Sequence, residues 1–159
     1  MAKKFHTVTV TPVLVAAESG VNQVLFNPTE IPHAVGSHGG SAKLVSIVIQ
    51  DKGDDLEKDF DLFFFRSNAG GNLGTINGDV NITDGNLESN KPLGNVRIEA
   101  EDGNDVGDYL AGQLMTVANV GLIVEAVSGS SSIFVAARAV DAQTKAVGDL
   151  ILTFGFETL

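Results

Sequence analysis

Three histidines, one tyrosine and twenty carboxylates are the groups in this chain that could move a proton, hold a metal or attack a substrate. His33 and His38 stand five residues apart across a glycine-containing turn, a spacing that lets two imidazoles meet on one zinc ion. Structural zinc takes four ligands, and with no cysteine in the chain only His6 is left over. The acidic stretch Glu101 to Asp108 (EDGNDVGD) offers loop oxygens of the kind calcium takes. Asp102, Asn104 and Gly107 match positions one, three and six of an EF-hand loop, but Val106 occupies position five and Gln113 position twelve. A solvated turn between strands suits it better, with a calcium site of another design left open.

Motifs for covalent and phosphate chemistry are missing. Gly36-Ser37-His38-Gly39 lacks the spacing of a nucleophile elbow, and no Gly-Lys-Ser/Thr occurs that could cradle a phosphate. Gly70-Gly71-Asn72-Leu73-Gly74 lacks the dinucleotide fingerprint and opens no helix. Asp54/Asp55 and Asp59/Asp61 are carboxylate pairs of the kind glycosidases use, but the separation that decides such chemistry is three-dimensional. The chain has no tryptophan, which argues against stacking a sugar ring in either an enzyme or a binding module. The expectation is therefore a non-enzymatic protein with no catalytic, cofactor-binding or metal set. An enzyme would need Asp59, Asp61, His33, His38 and Tyr109 to converge on one pocket.

Composition narrows the class further. With 159 residues the chain suits one domain, 1–159, whose core needs neither disulfide nor metal. Hydrophobic residues make up 43% but aromatics only 6%, so the apolar content is small and β-branched, as a thin sandwich core requires. A formal charge of −10 disfavours nucleic acid and anionic membranes, because phosphate neutralisation needs clustered Lys and Arg. No apolar run approaches the ~20 residues of a membrane helix. The start alternates Thr7-Val8-Thr9-Val10-Thr11, a strand pattern where a signal peptide would need a continuous apolar run, so synthesis in a cytoplasm is expected.

The elements that must position these residues are strands. Phe5 to Val15 alternates up to Pro12, which marks an edge or a bulge. Val21 to Phe26 follows, then an irregular connector through Pro28 and Pro32. Ala42 to Asp51 and Asp59 to Arg66 are the strongest strands, and Phe63-Phe64-Phe65 puts rings on both faces of the second, so it should be central and covered twice. Asn68 to Gly78 reads as loop, and Thr83 or Asp84 can cap one short helical turn within Asn81 to Asn90. Val96 to Ala100, Leu110 to Val120, Gly121 to Val127, Ile133 to Val140 and Leu150 to Phe156 complete the strands, with Asp141 to Gly148 a polar loop. The fold class expected is all-β: a single antiparallel β-sandwich, jelly-roll-like, of eight to ten strands with little helix.

The blocks Leu44 to Lys52 (LVSIVIQDK) and Asp61 to Ser67 (DLFFFRS) resemble a small structural protein family of tailed bacteriophages, common among phages of marine and cyanobacterial hosts. The resemblance continues through Leu93-Gly94-Asn95-Val96, the acidic loop Asp102 to Asp108, Gly121-Leu122-Ile123 and Leu150 to Phe156 (LILTFGF). It implies a virion component made in the host cytoplasm, a capsid decoration (cement) protein bound outside the major capsid protein shell. The family brings no catalytic or metal residues. Strongly sheet-forming termini in a soluble chain add the expectation of self-association, as a trimer. The rival functions are a host-surface or glycan-binding module of a head or tail fibre, and a glycan-cleaving or esterase domain. The polar loops Lys52 to Lys58, Asn68 to Gly78 and Glu101 to Asp108 are where contacts are expected, with Asp54, Asp55 and Glu57 facing the shell.

Overall fold

The computed structural model describes residues 4–53, 58–99, 104–105 and 112–159. Alternation of Val, Ile, Leu and Phe with polar residues puts one face of each long segment toward a common core. The described residues form eleven strands and one helix: β1 (Phe5–Val10), β2 (Ala17–Ser19), β3 (Val24–Ile31), β4 (Ser41–Asp51), β5 (Phe60–Phe65), α1 (Asp84–Asn90), β6 (Pro92–Ile98), β7 (Asn104–Asp105), β8 (Gln113–Glu125), β9 (Ile133–Ala139), β10 (Gln143–Lys145) and β11 (Leu150–Thr158). Three of the strands are only two or three residues long.

The eight long strands make two antiparallel sheets, ordered β1-β11-β4-β8, with β7 added at the edge, and β3-β9-β5-β6. In chain order the first long strand pairs with the eighth (β1 with β11), the second with the seventh (β3 with β9), the third with the sixth (β4 with β8) and the fourth with the fifth (β5 with β6). That nested pairing is a long hairpin rolled into two sheets, the arrangement of a jelly roll. The core lies between the sheets. Leu44, Ile47, Ile49, Leu152, Phe154 and Phe156 come from one, and Phe26, Phe60, Leu62, Phe64 and Val135 from the other. Phe64 meets Phe154 edge-on with ring centroids 5.8 Å apart, the geometry aromatic quadrupoles favour.

The four-stranded sheet is covered on its outer face as well. Phe63 and Phe65 point there and pack with Val24, Leu73, Ile82, Leu87 and Phe134 beneath the 66–91 segment that carries α1. The central, doubly covered place expected for the Phe63-Phe64-Phe65 strand is observed, and Thr83 is the N-cap of α1, its side chain accepting from the Asn86 amide. The helix runs seven residues, longer than the single turn expected.

Four boundaries differ from expectation. The first strand stops at Val10, short of Pro12. β3 runs straight through Asn27-Pro28, which was expected to be irregular connector; it is an edge strand whose register against β9 slips twice, so the missing Pro28 amide breaks no inner ladder. The two strands expected over 110–127 are one, β8. Its register against β4 jumps from Leu122 opposite Leu44 to Ala118 opposite Ser46, leaving Asn119, Val120 and Gly121 as a bulge where Asn119 and Gly121 take positive φ of 57° and 76°. Finally, the polar loop expected over 141–148 contains β10, paired with β2, because Gln143 and Lys145 are buried. No helix among the described residues is long and apolar enough to cross a membrane.

Candidate functional site

The strongest charge cluster grows out of sheet register. Asp61 lies outward on β5, directly opposite Arg97 on β6 and Arg138 on β9. The carboxylate is almost wholly buried and the two arginines partly exposed. Arg97 donates through Nε to Oδ1 and through Nη2 to Oδ2 (3.2 Å), and Arg138 donates Nη2–H to Oδ2 at 2.7 Å. Burial pushes the Asp61 carboxyl up, but the hydrogen bonds and charges of Arg97 and Arg138 outweigh it and hold the group below the usual carboxylate range. The same contact raises Arg97. Arg138 also lies over the Phe63 ring, 5.6 Å from its centroid, at the rim of an apolar hollow of about 270 Å³ formed with Phe65, Leu73, Ile82 and Leu87. A carboxylate engaged this fully holds strands together and is a poor proton acceptor.

A second pair is deeper. Lys145 Nζ donates to Asp51 Oδ2 at 2.5 Å with both side chains buried, and Asp51 Oδ1 accepts the Gly53 amide at 2.8 Å. This ties β10 to the end of β4. Sequence spacing gave no sign of it, since the partners are 94 residues apart.

All three histidines of the chain meet at one open hollow of about 480 Å³, with Lys4, Ser37 and Ser131 beside them. The β1–β11 register places His6 opposite Phe156, on whose ring it stacks at 5.6 Å. His6 Nε2–H donates to the His33 carbonyl at 2.9 Å, and His33 Nδ1 lies 3.3 Å from Ser131 Oγ. His33 holds a positive φ of 54° just after β3. The sequence suggested His33 and His38 as neighbours but gave His6 no place with them. No group of three or more His, Cys, Asp or Glu among the described residues is arranged to hold a metal.

The residues an enzyme would have to bring together are apart. Asp61 is locked to its arginines, while His33 and His38 line a hollow to which neither Asp59 nor Asp61 contributes. Asp59 immediately precedes β5, and its carbonyl accepts the Val140 amide at 3.0 Å. Tyr109, the Asp54/Asp55 pair with Glu57, and the acidic loop apart from the backbone of Asn104 and Asp105 lie outside the described residues. Gln113, the twelfth position of the calcium pattern, is buried in β8 opposite Asp51.

Exposed apolar side chains include a group flanking the β2–β10 ladder, besides Phe5, Val21, Ile123 and Leu159 at other positions in the chain. Val13, Val15 and Val147 are 69%, 47% and 72% exposed. Lys145 pairs with Ala17, so Val147, two residues past β10, and Val15, two before β2, leave their ladder at the same end. Among the described residues the one large aromatic left exposed is Phe5.

No protein-family model matches the chain, and no curated protein matches it. Among solved structures, a chain of the tomato aspermy virus crystal structure overlaps 98% of this chain and 76% of its own length at 10% identity and a TM-score of 0.41. A chain of Desmodium yellow mottle tymovirus overlaps 99% and 88% at 9% identity and a TM-score of 0.29. One from the full particle of Israeli acute paralysis virus heated to 63 degrees overlaps 99% and 70% at 6% identity and 0.26. Overlaps at this level carry no argument about function.

Proposed function

We propose that this protein is a non-enzymatic structural component of a virion, a decoration protein that binds the major capsid protein and other copies of itself, as a trimer, on the outside of the shell. The observation that carries this reading is the apolar end formed by Val13, Val15 and Val147, which leaves three β-branched side chains in water beside an ordered ladder. Clustered exposure of this kind marks surfaces that other proteins cover. The paired state of Asp61 and Asp51 supports it from the other side, since these two buried carboxylates are engaged in holding strands. The sequence resemblance to tailed-phage structural proteins supplies the virion and the capsid as partner. The rigid two-sheet roll suits a clamp whose many copies each bind modestly and together hold a lattice.

The test is co-sedimentation with purified shells of the Val13→Ser/Val15→Ser/Val147→Ser variant against wild type. Wild type should load onto shells and the variant should not, while both keep the same thermal midpoint. Equal loading of both would sink the assignment of this end. A wild type that does not load at all would sink the decoration role.

A further inference from the structure

We propose that the hollow lined by His6, His33 and His38 is a binding site for a tetrahedral oxyanion, of phosphate or sulfate type, that fills at mildly acidic pH. The chain carries twenty acidic residues against ten basic ones, yet among the described residues no acid lines this hollow, whereas Lys4 and every histidine do. Besides Thr158, whose hydroxyl donates to the Lys4 carbonyl, six side chains there can donate hydrogen bonds: Lys4, His6, His33, Ser37, His38 and Ser131. They come from the approach to β1, from β1 itself, from the β3–β4 connection and from the β8–β9 turn, so the roll gathers them from four places in the chain.

Two of the rings, His6 and His33, are held in ways that survive protonation. His6 already donates Nε2–H to the His33 carbonyl, and that bond persists when its other nitrogen gains a proton. His33 Nδ1 beside Ser131 Oγ can accept from the hydroxyl when bare and donate to it when protonated. Imidazole is the side chain whose charge changes between neutral and mildly acidic pH. Three of them and an ammonium in one hollow then repel one another, and an oxyanion relieves the repulsion while collecting charge-assisted hydrogen bonds. The nearby acids are directed elsewhere. Glu157 stands between Phe5 and Lys43 in the sheet register, on the strand face opposite His6, and Glu30 pairs with Phe134 toward the outer face of the other sheet. Imidazole carries no charge once it gives up its second proton, and the overall charge of −10 opposes any anion, so occupancy should fall as pH rises.

Sulfate is the suitable probe, because its own charge does not change over the range. Side-chain imidazole resonances are followed by NMR as sulfate replaces chloride at constant ionic strength, at about pH 6 and about pH 8. The expected result is a saturable shift of all three histidines with one shared dissociation constant at the lower pH, weakened roughly ten-fold or more at the higher. The His33→Asn/His38→Gln variant, in which Asn tolerates the positive φ at 33, should keep the wild-type thermal midpoint and lose most of the affinity. Non-saturable shifts, equal affinity at both pH values, or full affinity in a folded double variant would overturn the site. Should that variant not fold, the His38→Gln single variant, outside the His6–His33–Ser131 hydrogen bonds, carries the same test.

Discussion

Asp61 keeps a negative charge inside a sheet face because an arginine answers it from each flanking strand. Asp61→Asn removes the charge and leaves Arg97 and Arg138 facing each other, a loss expected to cost about 1–3 kcal/mol by urea denaturation at neutral pH. The effect has a direction in pH. The folded carboxyl titrates below its ordinary value, so its contribution is complete above about pH 4 and disappears as pH falls through the lower, folded value. Wild type and Asp61→Asn should therefore converge in urea midpoint on acidification toward about pH 3; a constant gap would show that shape and packing, not charge, set the difference. At this scale the sequence spoke only in part. It marked Asp61 as one of a carboxylate pair, but its partners are 36 and 77 residues away and only sheet register joins them.

Elements built on alternation were legible; those built on a partner were not. β4, β5, β9 and β11 show alternating or doubly covered apolar patterns in their own residues, and Thr83 announces α1 by its capping chemistry. β10 has only three polar-looking residues, and becomes a strand because β2 and Asp51 are there to receive Gln143 and Lys145. β3 could not be read through Pro28 because nothing local says it is an edge. The histidine hollow was invisible for the same reason, since His6 reaches the others only once β1 has paired with β11. The cover over the outer face depends on one close approach: a Cβ at Gly70 would stand 1.8 Å from the Asn86 carbonyl oxygen in α1. Gly70→Ala should therefore push α1 off Phe63 and Phe65 and cost roughly 2–4 kcal/mol. Hydrogen exchange would show protection lost in 66–91 and kept in the β4–β11 ladder; retained protection in α1 would mean the loop yields instead.

For the whole molecule, a formal charge of −10 sets like surfaces against each other. If copies join through the apolar end, association should strengthen as salt rises from about 0.01 to 0.15 M, because the screening length falls from roughly 30 to 8 Å. Sedimentation velocity at the two salts checks this, and weakening would mean that the contact between copies is ionic. Solubility should be lowest close to the isoelectric point of 4.5, where the repulsion vanishes.

The nested strand order also dictates a timetable. Among the eight long strands the pair closest in sequence, β5 with β6, is already separated by residues 66–91, and each further nested pair spans more chain until Phe5 meets Glu157. Closures of that span place folding in the millisecond-to-second range of two-sheet β proteins. The last strand of the sequence is not a finishing edge, because β11 sits between β1 and β4 and hydrogen-bonds both. A chain emerging from the ribosome must therefore carry β1 and β4 with the slot between them vacant until β11 is made, exposing two strand edges to every other nascent copy nearby.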